Sequence, residues 1–297
     1  MISHPDLIKA ALTADALNLG PHWVYDQSSL SKAYPEGVHQ VSDPLSKYHP
    51  DKRAGDFTHY GDNLVLMLQS ASDEGGWNPD SFADLWQKFW SDTSSYCDGA
   101  TRTTLSHLSD PTVAASRSGD IAGASLALFL TGLIGNAGEE HLIRAVRERT
   151  AFSHRDPATL DVAEFFTRVI TLLRSRHSLP NALSEATRAE YESLDAAKEL
   201  ERAKAALESR DPLQVASQFG LACSTSDAFP LVLYTLLRNP TDTATALNEN
   251  ALAGGDNAAR AILIALVLTE ANGWDSALEA SWNALTKQSE LAAMLES

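Results

Sequence analysis

The chain has 297 residues, and its 39 acidic side chains outnumber its 23 lysines and arginines, which gives a formal net charge of −16. A charge of this sign repels polyphosphate and anionic lipid, so the composition excludes proteins that bind a nucleic-acid backbone or an acidic membrane. Hydrophobic residues make up 44% and charged residues 21%, as in an ordinary globular protein, which excludes disordered and fibrous classes.

The cysteine content and the lengths of the apolar runs indicate the cellular compartment of the protein. Cys97 and Cys223 are far apart in the sequence and predict neither a disulfide framework nor a thiolate zinc cage. The first residues lack the basic segment and apolar run of a signal peptide. The longest apolar stretches, 121–134 and 258–269, are shorter than the roughly 20 residues that span a bilayer. We therefore expect a cytoplasmic protein.

Helical periodicity recurs along the chain, and no alternating run of β-branched and aromatic residues predicts a sheet, so we predict an all-α fold. The first predicted elements, in chain order, are a helix capped by Ser3 and ending near Leu19, a long structured loop at about 25–58, and a helix capped by Asp62. An amphipathic helix over 80–90 and an apolar helix over 119–135 follow. The last elements are an exposed helix with a narrow apolar stripe over 185–210 and an apolar helix that begins at 254–256. The two apolar helices are expected at the centre. No linker divides the chain, which predicts a single domain over 1–297.

Standard signatures of serine hydrolases, Walker-type phosphate loops, HExxH metalloproteases and dinucleotide-binding proteins are absent from the sequence. What remains is a set of short acid-containing turns near apolar helices, with Asp15, Asp62, Asp98 and Asp256. A helix N-terminus offers free N–H groups, and carboxylates from several turns can converge on one hard cation. Each turn alone is also typical of an ordinary helix cap. Asp15 differs, because a carboxylate inside a buried helical pattern requires a partner.

The run ADALNLGPHWVYD at 14–26 resembles the opening of the ADP-ribosylglycohydrolase superfamily, in the branch that includes the J-type crystallins. Further segments that resemble this branch follow in the family's order: AGDFTHYGDN at 54–63, YCDGAT at 96–101, GDIAGA at 119–124, SHRDP at 153–157 and GGDNAAR at 254–260. No single segment is specific, but the ordered set covers roughly residues 10 to 275.

This resemblance implies a compact orthogonal helical bundle around a cleft of ADP-ribose size. Enzymes of the superfamily cleave the bond between ribose and an arginine, a serine or another group, using magnesium held by carboxylates. By this resemblance Asp62 and Asp256 are the catalytic residues, and magnesium is held by Asp62, Asn63, Asp256 and Asn257. The expected ligand-binding residues are Asp15, His22, Trp23, Asp98, Gly119, Asp120, His154, Gly254, Gly255 and Arg260.

The chain also departs from the family pattern at its metal-binding motifs. The enzymes carry Thr-Asp-Asp where this chain has Tyr60-Gly61-Asp62, and Gly-Gly-Asp-x-Asp-Thr where it has GGDNAA at 254–259. Several oxygen ligands are therefore missing. The remaining ligands predict one magnesium ion or none, and two ions are not expected.

Three functions remain open at this point. The first is a hydrolase that acts on an ADP-ribosyl or related nucleoside glycosidic bond, with an ADP-ribose-like ligand or an ADP-ribosylated molecule as its partner. The second is a catalytically inactive nucleotide-binding or crystallin-like structural protein. In the third, Asp15, Asp98 and Asp256 perform metal-free acid–base chemistry on another small glycoside. No histidine is assigned as catalytic, and the leaving group and the oligomeric state stay open.

Overall fold

The helix at the centre of the structure is α15, Asn257–Asn272, whose side chains from 258 to 268 are all inaccessible to solvent. The computed structural model describes residues 2–296, so the two end residues of the predicted 1–297 domain lie outside the described part. Helix α1, Pro5–Leu19, packs along α15 more extensively than any other helix. Burial of each large aliphatic side chain in this pair contributes about 1.5–3 kcal/mol to stability, which explains why both sequences are apolar on nearly every face.

The other helices surround this central pair. In chain order they are α2 (Gln27–Ala33), α3 (His59–Asp73), α4 (Pro79–Asp92), α5 (Gly99–Ser109), α6 (Ala122–Leu128), α7 (Leu130–Leu133), α8 (Glu139–Ser153), α9 (Pro157–Arg174), α10 (Leu179–Ala186), α11 (Ala196–Ala206), α12 (Pro212–Phe219), α13 (Thr225–Arg238), α14 (Thr243–Ala253), a 3₁₀ turn (Ser276–Leu278), α16 (Glu279–Asn283) and α17 (Gln288–Glu296). Residues 2–296 contain no β-strand, which confirms the predicted all-α fold. In this part of the chain no helix is long and apolar enough to cross a lipid bilayer.

Several predicted helix boundaries are wrong, each for a local reason. The first helix begins at Pro5 without a side-chain cap, although Ser3 was expected to supply one. The apolar segment 119–135 is two short helices, α6 and α7, interrupted at Phe129. The exposed segment 185–210 is likewise divided, because Ser193 donates its N–H to the buried Asp161 and Asp195 starts a new helix as its cap.

The long loop at 25–58 contains one short helix, α2, and is otherwise irregular. Backbone hydrogen bonds fix it to distant parts of the chain: Leu45 N–H donates to Gly20 O and Thr286 N–H donates to Gly55 O, both over 2.9 Å. The side chain of Asn248 also accepts a hydrogen bond from Val38 N–H. The loop is therefore structured and carries His49 into the interior, where this side chain is 2% exposed.

Helix α3 begins at His59 rather than at Asp62, because Thr58 is its cap and accepts a hydrogen bond from Tyr60 N–H at 3.0 Å.

The buried carboxylate of Asp15 stabilises the start of helix α3. Its Oδ1 accepts hydrogen bonds from Thr58 Oγ1 at 2.6 Å and Gly61 N–H at 3.1 Å, and its Oδ2 accepts one from Thr58 N–H at 2.8 Å. Burial raises the pKa of Asp15 to about 6, although the two bonds from Thr58 oppose the rise. Asp15 thus has the partner that its sequence position requires.

Replacement of Asp15 tests this role. Asp15→Ala leaves two buried backbone N–H groups of α3 without an acceptor, so we expect the free energy of unfolding at pH 7.5 to fall by about 2–3 kcal/mol. Urea denaturation measures it. The matched control is Asp6→Ala, which removes an exposed carboxylate from the first turn of the same helix α1 and is expected to cost about 0.5 kcal/mol. Equal losses for the two variants would contradict the role of Asp15.

Candidate active site

Four segments that precede or follow buried helices are joined by backbone hydrogen bonds. We call the segments 22–24, 119–121, 221–225 and 254–256 the loop ladder. Its bonds run from Trp23 N–H to Gly255 O (2.9 Å), from Gly255 N–H to Val24 O (2.9 Å), from Asp256 N–H to Leu221 O (3.0 Å), from Ile121 N–H to Cys223 O (2.9 Å) and from Thr225 N–H to Gly119 O (2.9 Å). The loop ladder brings Asp120, Cys223 and Asp256 together, with one oxygen or sulfur atom of each within 4.8 Å of the others.

Two glycines make this close approach of backbones possible. Gly254 and Gly255 have φ angles of 77° and 66°, which side chains rarely tolerate. A Cβ atom would lie 2.3 Å from Val24 O at the first position and 2.1 Å from Leu221 O at the second. These glycines were predicted to contact a ligand, and the structure places them against neighbouring backbone, where they position Asp256.

Asp256 lies on the floor of the site with a side chain that is inaccessible to solvent. It precedes α15, yet its side chain makes no capping hydrogen bond to that helix. Its Oδ2 accepts a hydrogen bond from the Tyr60 hydroxyl at 3.1 Å, whereas Oδ1 has no hydrogen-bond partner among residues 2–296. A buried carboxylate oxygen without a partner is unfavourable, so Asp256 is suited to a ligand, a proton or a cation.

Asp120 and Cys223 stand nearer the surface above Asp256. Asp120 is half-buried and accepts a hydrogen bond from Ala122 N–H at 2.8 Å, while Cys223 is exposed. Burial and the negative charge of Asp256 raise the pKa of Asp120 well above its ordinary value. Burial also raises the pKa of Asp256. Partial burial and the charges of these two acids raise the pKa of the Cys223 thiol to about 12, so the thiol is neutral at pH 7. The pair of acids therefore favours one bound positive charge.

Asp98 forms a second acidic position beside the site. It caps α5 by accepting a hydrogen bond from Thr101 N–H at 2.6 Å, and its Oδ2 lies 3.5 Å from Nε2 of the buried His59. Burial acts to raise the pKa of Asp98, but interactions with His59 and Thr101 outweigh it and hold the pKa below its usual range. Asp98 is therefore ionised at neutral pH, and it orients the imidazole of His59.

Two of the predicted metal ligands lie in other interactions. Both oxygens of Asp62 accept hydrogen bonds from the Lys52 ammonium, at 2.8 and 2.7 Å. Burial raises the pKa of Asp62, and the charge of Lys52 opposes the rise. The amide of Asn63 accepts a hydrogen bond from Trp86 Nε1 at 2.6 Å and donates one to His59 O at 2.8 Å. The side-chain oxygens of Asp62 and Asn63 are thus engaged by Lys52 and Trp86.

Asn257 and Arg260 support the loop ladder from behind. Asn257 Oδ1 lies 3.0 Å from His22 Nδ1, and its amide nitrogen donates to Ala251 O at 3.4 Å. The guanidinium of Arg260, inaccessible to solvent, donates to Asn250 Oδ1 at 2.9 Å and to Gly254 O at 2.5 Å. Burial lowers the pKa of Arg260 to about 10, although Asp256 opposes this. Asn257 was predicted as a metal ligand and Arg260 as a ligand-binding residue, and both stabilise the turn that carries Asp256.

Aromatic and imidazole rings form one wall of the site. The indole of Trp23, which has a positive φ of 57°, lies 4.4 Å from His22, 5.4 Å from His49 and 5.1 Å from His59 between ring centres. Tyr96 packs edge-on against this indole at 4.9 Å. Burial and the neighbouring His59 lower the pKa of both His22 and His49, the latter to about 3. At neutral pH this wall therefore presents at least two uncharged imidazoles.

The remaining predicted ligand residues are at the edge of the site. Gly119 belongs to the loop ladder through its carbonyl, which accepts from Thr225. His154 is buried behind it, with Nδ1 2.9 Å from Ser153 Oγ, and a Cβ atom at Gly123 would approach its side chain to 2.5 Å. The oxygens of Asp15 are occupied at the start of α3. The metal-free hypothesis requires Asp15 to act together with Asp98 and Asp256, and the structure does not bring these three acids together.

Fold and site together define an all-α protein in which two acids lie beside a cluster of aromatic and imidazole rings. The sequence matches the ADP-ribosylglycohydrolase family over residues 8–297, and the chain belongs to this family. Its structure is similar to that of a protein described as an "ADP-ribosylglycohydrolase-related protein complex", with a TM-score of 0.70 and 14% sequence identity over 98% of this chain and 94% of the other. At that identity the similarity concerns the fold. No curated protein matches the sequence significantly.

Sequence reasoning missed several residues of the site. His59 and Tyr60 stand inside the motif at 54–63, where the replacement of the enzymes' threonine by Tyr60 could have drawn attention to them. Tyr25, 55% exposed, also belongs here, because the charges of Asp256 and Cys223 add to partial burial in raising its pKa. His49, Lys52 and Cys223 carry no such signal. His49 and Lys52 come from an irregular loop, and Cys223 comes from a turn that resembles no motif.

The buried His154 makes stability depend on pH. Burial lowers its pKa from 6.5 to about 4, with Arg149 acting in the same direction and Asp98 opposing. Between pH 6.5 and 4 the unfolded chain therefore takes up a proton that the folded chain does not, so stability falls as pH decreases through this window. We expect His154→Gln to reduce the loss of unfolding free energy between pH 7 and pH 5 by about 2 kcal/mol.

Urea denaturation at the two pH values measures this loss. The matched control is His141→Gln, on the exposed side of the preceding helix α8. This control shows whether removal of any histidine reduces the loss of unfolding free energy between the two pH values. A loss in His154→Gln as large as in the unmodified chain would contradict the assignment.

Proposed function

We propose that the protein hydrolyses the glycosidic bond between ribose and its substituent in an ADP-ribosylated molecule. The observation that carries the proposal is Asp256, a buried carboxylate whose Oδ1 has no hydrogen-bond partner in the described chain, although His22 Nδ1 lies 3.8 Å away, and which lies beside Asp120. Membership of the ADP-ribosylglycohydrolase family supports the class of substrate. An ADP-ribose-like ligand is small enough to be bound locally despite the acidic surface, because charges beyond about 8–10 Å are screened.

The carboxylates of Asp120 and Asp256 fit one magnesium ion. Burial and the charge of Asp256 raise the pKa of Asp120, and a cation that prefers oxygen ligands stabilises such a pair of carboxylates. Asp62 is paired with Lys52, and the amides of Asn63 and Asn257 are engaged, which supports one ion rather than two. Bound magnesium would polarise a ribose hydroxyl or a water molecule and offset the charge of the two acids.

The chain's own residues supply the remaining steps. The Tyr60 hydroxyl holds Asp256 Oδ2 and leaves Oδ1 to accept a proton from the attacking water. Asp120, at the mouth of the site, stabilises positive charge that develops on the ribose as the bond to the leaving group breaks. The rings of Trp23 and Tyr25 offer stacking surface for the ligand.

Hydrolysis of ADP-ribosyl-arginine and of an ADP-ribosyl-serine peptide, assayed by release of ADP-ribose with magnesium, tests the proposal. We expect Asp256→Asn and Asp120→Asn each to lower kcat/KM by about 100-fold or more, because they remove a proton acceptor or a stabilising charge. Asp73→Asn, at an exposed position of α3, is the matched control and should retain full activity. Full activity of Asp256→Asn would refute the mechanism.

The same assay tests the earlier prediction that Asp62 is catalytic. If Asp62 only pairs with Lys52, Asp62→Asn should lower kcat/KM by less than about 10-fold, while loss of the ion pair reduces stability. A loss of activity as large as that of Asp256→Asn would assign the metal-binding role to Asp62.

A second candidate function is nucleotide binding without turnover. The Lys52 ammonium on Asp62 and the engaged amides of Asn63 and Asn257 favour it, since they leave few ligands for a catalytic ion. Calorimetric titration with ADP-ribose separates the two functions. Binding that is independent of magnesium, in a protein that releases no product, supports the second function, whereas magnesium-dependent binding with turnover supports the hydrolase.

A further inference from the structure

Three buried histidines from separate parts of the chain meet beside the carboxylate site. His22 follows α1, His49 belongs to the long loop, and His59 is the first residue of α3, and they are 0%, 2% and 1% exposed. One nitrogen of each lies within 4.8 Å of one nitrogen of the other two. His22 Nδ1 lies 3.8 Å from Asp256 Oδ1 and His59 Nε2 lies 3.5 Å from Asp98 Oδ2, so the three imidazoles form a cluster of their own beside the acids of the site.

The three rings are spaced as ligands of a single ion would be. Their centres form a nearly equilateral triangle with sides of 5.6, 5.6 and 6.1 Å. The centre of such a triangle is about 3.3 Å from each ring centre, and zinc, at about 2.0–2.1 Å from an imidazole nitrogen, lies about 3.2 Å from the ring centre. The ring centres are therefore as far apart as those of imidazoles that share one ion.

Each ring also keeps a nitrogen available for a ligand bond. His22 Nδ1 donates to Asn257 Oδ1 at 3.0 Å, which leaves Nε2 without a partner in residues 2–296. His59 Nε2 lies 3.5 Å from Asp98 Oδ2, and neither nitrogen of His59 has a hydrogen-bond partner in this range. Neither nitrogen of His49 has a hydrogen-bond partner in the same range. Metal-bound histidines typically have their second nitrogen held by an amide or carboxylate oxygen in this way.

We propose that His22, His49 and His59 form a binding site for one d-block divalent cation, of which zinc is the representative ion. Three imidazole ligands suit zinc and its neighbours and not magnesium, which prefers oxygen. With three protein ligands, a fourth position stays open for water or substrate. A surface cavity of about 250 Å³, lined in part by His49, Lys52 and Tyr96, gives an ion a route to the site.

The test is calorimetric titration of zinc chloride into the full-length protein after removal of metals with a chelator. We expect one tightly bound zinc ion per chain, and His49→Gln should weaken binding by more than the roughly 10–100-fold that loss of a supporting group causes. Two matched controls should bind like the unmodified protein. His39→Gln removes an exposed histidine of the same loop, and Cys223→Ser removes the thiol of the carboxylate cluster.

Cobalt provides a second readout that does not depend on the folding of a variant. In the unmodified protein, Co²⁺ at this site should give visible ligand-field absorption of a four-coordinate ion without a thiolate charge-transfer band. Absence of zinc binding, binding that His49→Gln leaves unchanged, or binding lost in Cys223→Ser would each overturn the proposal. Zinc binding is measured without substrate, so its outcome is independent of whether the protein is a hydrolase.

Discussion

The site depends on backbone hydrogen bonds between loops that are far apart in the sequence. Trp23 and Val24 pair with Gly255, Asp256 pairs with Leu221, and Cys223 pairs with Ile121. Each of these loops begins or ends a helix packed around α15. The site therefore forms when these helices pack into the core. Without the two glycines at 254 and 255 the backbones could not approach, and Asp256 would not reach its buried position.

The loop ladder also brings two acidic side chains close together, where their negative charges are unfavourable. Asp120 and Asp256 are held close together, and burial with mutual repulsion raises the pKa of Asp120. Folding free energy from the apolar helices sustains this arrangement. The other acids near the site are stabilised by partners: Asp15 by the start of α3, Asp62 by Lys52, and Asp98 by Thr101 and His59. Among these acids Asp120 and Asp256 are left to bind a positive charge, which is why the proposed chemistry is assigned to them.

Much of the fold was predictable from the sequence, because it follows from local patterns. Helical periodicity gave the all-α class, and the apolar segment after 256 gave the central helix. The acids at 120 and 256 were also identified, since they stand in motifs resembling the family. The partners of the predicted acids were not predictable, because Tyr60 is remote from Asp256 in the sequence and Lys52 belongs to the irregular loop that precedes Asp62. The histidine cluster was missed for the same reason, since His22, His49 and His59 share no spacing in the chain.

The central claim is that Asp120 and Asp256, brought together by the loop ladder, bind the cation that the proposed reaction uses. Crystals of the protein soaked with manganese, measured for anomalous scattering, test it most directly. The claim predicts one anomalous peak in contact with the carboxylates of Asp120 and Asp256. A peak at Asp62 and Asn63 instead, or no peak near Asp256 at millimolar manganese, would contradict it.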